Sequence, residues 1–320
     1  MIDINKNKIK TWSTIGQRAT FGLLAYEIAN NIRDLVVLTC DVSTSAGLDR
    51  FRKNYPEKFI ELGISEQNMI GVAAALANEN HKVITTSFAP FQTMRCCEQI
   101  KVNLGYMKQK ISMVGLASGL VLGPLGYTHC CIEDIGVLRS IPNLTIISPA
   151  DGLELAKALI ASLNHSQSTY IRLTGSSNTP IIYNKNYNFK IGKSVILRKG
   201  KDIAIFATGS MIKTALDVST RLEKQNISTA VINVHTIKPF DKSIIKKYLK
   251  AKLFISIEEH NIIGGLGSAL SDEASKIGKT PKHIYFGINN EYQYHGEYKY
   301  LLDKYGLTTD KIVNKIKKNL

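Results

Sequence analysis

The sequence contains no uninterrupted apolar run of the ~18–20 residues that a membrane span requires. The nearest stretch, Ile111 to Gly126, is broken by Gly115, Gly119, Gly123 and Pro124, so no membrane role is expected. The opening residues MIDINKNKIK are polar and lack the apolar core and cleavage signal of an exported chain. A cytoplasmic location is therefore expected. Cysteine is sparse and badly spaced for a disulfide framework: Cys40 stands alone, Cys96-Cys97 and Cys130-Cys131 are adjacent, and C-x-x-C does not occur. Reduced, partly buried thiols are the simple reading. Cys130 follows His129, but a Cys–His nucleophile is normally assembled in space rather than from chain neighbours. The histidines show neither H-x-x-x-H nor H-x-x-E-H spacing, so no metal site is expected within this chain.

Acidic residues are also few. Against 41 Lys and Arg stand 26 Asp and Glu, a formal charge of +15. A basic balance suits nucleic acid, an anionic partner or acidic small molecules. The lysines of KSIIKKYLKAK and KIVNKIKKNL, however, interleave with isoleucine and leucine at helical spacing, the pattern of solvated helix faces. No zinc-finger spacing or RNA-recognition aromatic motif accompanies them, and nucleic-acid binding is not expected.

What is present is an alternation. With 320 residues, 44% of them hydrophobic, the chain is long enough for two domains with full cores. Short β-branched runs at Leu35, Lys82, Ile111, Leu144 and Tyr170 read as buried parallel strands. Helical patterns near Thr20–Arg33, Glu66–Asn80, Phe91–Leu104 and Gly152–Leu163 separate them. The pattern pauses in a polar stretch around SSNTPIIYNKNYNFKIGKS and restarts at IAIFATGS, TAVINV and LFISIEEH. Two layered α/β domains are predicted, residues 1–190 and 191–320.

Two turns invite a phosphate. GGLGSAL (Gly264–Leu270) sits where a dinucleotide fingerprint would, but Leu270 holds the place of its third glycine. ATGS (Ala207–Ser210) is a strand-to-helix turn whose amides suit an anion. A tight structural turn explains each without a ligand. EYQYHGEY, rich in tyrosine, has no evident role. One acid is out of place: Glu66 heads the apolar run Met69–Ala77. It is either a helix-terminal carboxylate in water or an acid facing a pocket.

Taken in order, the blocks CDVSTSAGL, ELGISEQNMIGVAAALA, SFAPFQTMRCCEQIK, GYTHCCIEDIGVLRSIPNLTIISPAD, YIRL, FATGSMIKTALDV, INVHTIKPFD and EEHNIIGGLGSA carry a family resemblance. Over nearly its whole length the chain resembles the C-terminal half of transketolase, as found in split, two-subunit enzymes. It is similar, more distantly, to the β subunits of 2-oxo acid dehydrogenases and to deoxyxylulose phosphate synthase. The resemblance implies a thiamine-diphosphate-binding (pyrimidine) domain followed by a transketolase C-terminal-like domain. It implies that Glu66 shares a proton with N1′ of the cofactor's aminopyrimidine, favouring the tautomer that deprotonates the thiazolium. Phe88 and Phe91 would enclose the pyrimidine, with Met94 as a softer wall where some relatives have tyrosine. Asp41 would stand beside the cofactor. Arg18 and Ser45 match positions that contact a substrate phosphate, and His129 one that contacts the sugar near the reacting carbon.

The resemblance also exposes absences. The G-D-G…N segment that holds Mg²⁺ and the diphosphate does not occur here. A partner subunit of the N-terminal type would supply it, and an α2β2 assembly is implied. Leu125 stands where an Asp would read a substrate hydroxyl, Ala117 where a His would reach the phosphate, and TGSSN lacks the family Arg. A site that abandons such polar contacts abandons strong discrimination. The expected substrate is a modified or nucleotide-linked sugar, bound for polysaccharide biosynthesis. Arg172 reads as a brace within its strand. A dehydrogenase-type β subunit and a non-catalytic scaffold are the alternatives.

Overall fold

A computed structural model describes residues 2–320. The first half supplies strands β1 (Leu35–Thr39), β2 (Phe59–Glu61), β3 (Lys82–Phe88), β4 (Ile111–Ser118), β5 (Leu144–Ile147) and β6 (Ser168–Thr174). Its helices are α1 (Lys6–Ala29), α2 (Asp49–Asn54), α3 (Glu66–Asn78), α4 (Ala89–Gln92), α5 (Cys97–Gln99), α6 (Asp134–Arg139) and α7 (Gly152–Leu163). The second half adds β7 (Val195–Arg198), β8 (Ile203–Ala207), β9 (Thr229–Asn233), β10 (Thr236–Lys238), β11 (Leu253–Asn261) and β12 (Lys282–Ile288). Its helices are α8 (Met211–Glu223), α9 (Lys242–Lys247), α10 (Leu266–Ser275), α11 (Tyr298–Lys304) and α12 (Thr309–Lys317).

Two sheets result. The larger runs β10-β5-β6-β4-β3-β1-β2 and the smaller β12-β11-β8-β9-β7. Every pairing is parallel except those of the edge strands β10 and β7. β1, β4, β5 and β6 are buried along their whole length. Strands covered on both faces need no polar alternation, which is why they read as continuous β-branched runs. β10 comes from the second half yet completes the sheet of the first, so the two halves share a strand edge.

Two expected helices differ in the structure. α1 begins fourteen residues before the predicted start, and Gly16 interrupts it with φ 78° and ψ 173°. The single helix expected over Phe91–Leu104 is split into α4, α5 and a π-helical run Ile100–Tyr106. Gln92 accounts for the first stop. Its side chain turns back to donate to Thr85 Oγ1 at 2.6 Å and accept from Ser87 N–H at 3.2 Å, tying α4 to β3.

Arg172 on β6 braces the halves together. Its guanidinium donates to Asp134 Oδ2 at 2.8 Å, to Cys131 O at 3.2 Å and to Glu259 O on β11 at 2.8 Å. Tyr170 donates to the same Asp134 carboxylate at 2.7 Å. Strand, helix and second domain therefore meet at one desolvated ion pair.

His235, between β9 and β10, is fully buried. Its Nδ1 lies 2.9 Å from Thr236 Oγ1 and its ring stacks on Phe189 at 4.3 Å. Burial pulls its pKa from 6.5 down to about 4. The unfolded chain therefore binds the extra proton first, so this contribution to stability is complete above pH ~6.5 and is lost as pH falls toward ~4. The expected loss at this site between pH 7 and pH 5 is about 2 kcal/mol. Urea unfolding at the two pH values checks it: His235→Gln should lose correspondingly less, and an equal loss would show that the imidazole charges freely in the fold.

Candidate active site

In an open parallel sheet, ligand-binding residues gather at the carboxyl ends of the strands. Here β1, β3, β4 and β6 lie near one another in the larger sheet. Their carboxyl ends lead into Asp41–Ser45, Phe88–Arg95, Gly119–His129 and Gly175–Ser177, and the loop after β2 leads to Glu66. The site residues suggested by the sequence come from these loops and from α1.

Glu66 is not a cap. Ser65 occupies the N-cap position, while the Glu66 carboxylate is 3% exposed and turned inward. Its Oε2 meets Arg95 Nη1 at 2.6 Å, and its Oε1 accepts a long bond from Ser87 Oγ at 3.4 Å. Arg95 lies over the ring of Phe91, 4.2 Å from its centroid. Phe91 is the hub of the cluster. Phe88 meets it edge-on at 6.3 Å and His129 at 5.3 Å, and Phe88 and His129 are 6.3 Å apart. One buried carboxylate, two aromatic rings and one imidazole are thus linked in a single cluster through Arg95. That set fits a flat heteroaromatic ring whose nitrogen seeks a carboxyl partner.

Arg95 escaped the sequence reading. Its signal was its spacing: it follows Phe91 by four residues, close enough to fold back over the ring. Cys130, which does follow His129, is buried, and burial pushes its thiol up to about 12. A thiol so held is no nucleophile.

Arg18 and Ser45 line a cavity of about 530 Å³, with Thr44, Val121, Ser176 and Ser177. The break at Gly16 makes this possible. A Cβ there would lie 2.9 Å from Ser176 O, so only glycine lets the 176–177 loop close over α1 at positive φ. Burial lowers the pKa of Arg18, and among the described residues no carboxylate pairs with it. An uncompensated, half-buried guanidinium favours an anionic guest.

The remaining sites are less integrated. Met94 is 38% exposed on the turn after α4. Asp41 is exposed, with φ 56°, and its N–H donates to Glu61 Oε1 at 2.7 Å. Leu125 is 56% exposed at a loop tip, whereas Ala117 is buried near the end of β4.

The two phosphate-like turns hold their own partners. Glu258 Oε2 and Oε1 accept from Leu266 and Gly267 N–H at 2.6 and 2.8 Å, filling the N-terminus of α10 with a carboxylate. Ser210 N–H donates to Thr174 Oγ1 at 3.0 Å. Both turns are structural.

Comparison with known proteins decides the family. The model for the transketolase pyrimidine-binding domain matches residues 13–179, and that for the transketolase C-terminal domain matches residues 192–312. The chain belongs to the transketolase family. It is 35% identical over 283 residues to an apulose-4-phosphate transketolase subunit of Actinobacillus succinogenes, covering 88% of this chain and 91% of that one. It is 34% identical over 297 residues to a 6-deoxy-6-sulfo-D-fructose transketolase subunit of a Clostridium species, covering 92% of each. A solved split-gene transketolase, described as an inactive β4 tetramer, superposes with a TM-score of 0.85 at 30% identity, over 95% of this chain and 97% of that one. The chain therefore has the extent and fold of the second subunit of a split transketolase.

Proposed function

We propose that this chain is the pyrimidine-binding subunit of a two-subunit, thiamine diphosphate-dependent transketolase acting on a modified sugar. It would transfer a two-carbon ketol unit from a ketose to an aldehyde acceptor. The observation that carries this reading is the buried Glu66 carboxylate joined through Arg95 to the cluster of Phe91, Phe88 and His129. Thiamine diphosphate, when bound, supplies the nucleophilic carbon of the reaction.

The chain's own residues do the rest. With the cofactor bound, the Glu66 carboxylate would share a proton with the pyrimidine nitrogen N1′. Phe88 and Phe91 fix the plane of that ring and exclude water from Glu66, which strengthens the hydrogen bond. Arg95, 41% exposed, would have to release Glu66 to the ring. His129 donates to a sugar oxygen beside the reacting carbon. Arg18 and Ser45 receive the sugar's anionic end. No G-D-G…N segment occurs in this chain, so the diphosphate and Mg²⁺ fall to a partner subunit. The inactive tetramer reported for the split-gene relative agrees with that division.

Support for a modified sugar comes from the site's polarity. Leu125 offers no hydroxyl reader, Ala117 offers nothing, and Ser176 and Ser177 stand where an Arg fork is missing. The two relatives are named for sugars bearing a sulfo group and a phosphate, and the Arg18 cavity suits either anion. The test is reconstitution with an N-terminal-type subunit and comparison of ketose donors. Ordinary xylulose 5-phosphate with ribose 5-phosphate should be a poor pair; housekeeping-level efficiency would rule out the modified-sugar reading. Arg18→Ala should raise KM for an anionic ketose about 10–100-fold, the worth of a charge-assisted contact. Steady-state kinetics with anionic and neutral ketoses would show whether the effect follows the charge.

A further inference from the structure

The loop from Gly119 to Cys131 carries His129. Its neck is closed by Gly119 N–H to Cys131 O at 2.7 Å and Cys131 N–H to Gly119 O at 3.0 Å. Three hydrogen bonds from the C-terminal half hold it. At the neck, Leu120 N–H donates to Glu259 Oε1 at 2.7 Å, and Glu259 is fixed in turn by Ser210 Oγ and Tyr298 Oη, both at 2.6 Å. Farther along, Gly296 N–H donates to Gly123 O at 3.2 Å. Packing there is so close that a Cβ on Gly123 would lie 2.2 Å from Leu301 Cδ1.

Nearest to His129, the hydroxyl of Tyr127 is hydrogen-bonded to that of Tyr305. The Tyr127 ring lies 4.7 Å from that of Tyr292, whose hydroxyl donates to Glu133 at 2.6 Å. Tyr305 Oη also accepts from Tyr294 N–H at 3.3 Å. The tyrosine-rich segment thus also meets the loop at Tyr127, the loop's one tyrosine. Burial and the Tyr305 hydroxyl keep the Tyr127 phenol well above its ordinary pKa, so the bond stays neutral.

Tyr127 precedes His129 by two residues in a cross-linked turn. His129 and Cys130 N–H both donate to Gly126 O, at 3.1 and 3.0 Å. Thr128 Oγ1 donates to Leu125 O at 3.2 Å and lies 3.0 Å from His129 Nδ1. Such a turn moves as a unit, so displacing Tyr127 displaces the imidazole.

We propose that Tyr305 is a positioning residue: acting through Tyr127, it fixes the loop that presents His129, so the C-terminal domain sets the grip on the sugar. The proposal rests on the functional reading above, which gives His129 a sugar to touch. Tyr305→Phe removes one hydroxyl and keeps the ring. In the reconstituted two-subunit enzyme it should raise KM for the sugar about fivefold, the worth of one hydrogen bond. Because the lost grip acts on bound substrate and transition state alike, kcat should stay within about twofold. Cofactor Kd should not move and the melting temperature should fall by no more than about 2–4 °C, the cost of one hydrogen bond, which separates positioning from general loosening. Tyr127→Phe, which spares the Tyr294 N–H contact, should match it in KM, and the double variant should raise KM no further than Tyr305→Phe alone, since the Tyr127–Tyr305 bond is lost in every case.

A second readout needs no turnover. Amide hydrogen exchange across residues 119–131 of the isolated chain should quicken in Tyr305→Phe. An unchanged KM, additive effects in the double variant, or unaltered exchange would each overturn the proposal. A wild-type complex that transfers no ketol unit would instead defeat the functional reading, and the exchange measurement would then decide the clamp alone.

Discussion

Replacing Glu66 with alanine in the reconstituted complex is expected to lower turnover by about 10²–10⁴-fold, the range for loss of a positioned acid–base group. Assembly should be unaffected. The side chain caps nothing, because Ser65 already holds the N-cap position. Its cation partner, Arg95, is 41% exposed and remains hydrated when the carboxylate is gone. Folding therefore has little to lose, and a fall in activity can be assigned to chemistry. Glu66→Gln sharpens the comparison, since the amide keeps the shape but cannot exchange the proton; it should fall nearly as far. Single-turnover kinetics with the assembled pair give the measurement. A scaffold subunit would be indifferent to both changes, and undiminished turnover would restore that reading.

The largest stability effect is expected at Asp134. Both it and Arg172 are buried, at 0% and 1% exposure. Asp134→Ala would leave a desolvated guanidinium with only backbone carbonyls as partners and is expected to cost about 3–5 kcal/mol. The Tyr170 hydroxyl would lose its acceptor as well. Replacing both charges, as in Asp134→Leu with Arg172→Met, should recover part of the loss, because the desolvation cost disappears with the pair. Chemical denaturation of the two variants checks this. A loss below about 1 kcal/mol for the single change would mean that the pair is hydrated, as surface pairs are.

Much of this molecule was legible as sequence because its main strands are buried on both faces. LVVLT, ISMVGL and YIRLT declare themselves locally, and all three are strands. β2 and β10, at three residues each, are too short to show a period. The pairing of β10 with β5 joins residues far apart in the chain, so no local pattern announces it. The same limit applies to the site. Glu66 was conspicuous as an acid at the head of an apolar helix, and Phe88, Phe91 and His129 entered through family resemblance; the structure brings all four together. Arg95 went unread because its carboxylate partner, Glu66, lies 29 positions away and the spacing from Phe91 does not by itself name a site. Glu259 and Tyr305 hold their loop from another domain, where spacing carries no information. The glycine turns GGLGSAL and ATGS showed the reverse: they look like phosphate sites, but Glu258 and Thr174 already occupy their amides.

The decisive measurement is a crystal structure of this chain assembled with its N-terminal-type partner and thiamine diphosphate. A Glu66 oxygen is expected within ~2.7–3.2 Å of pyrimidine N1′, a full hydrogen bond, with the diphosphate held by the partner. A Glu66 carboxylate open to solvent, or still paired with Arg95 and remote from the ring, would contradict the assignment and the two-subunit reading with it.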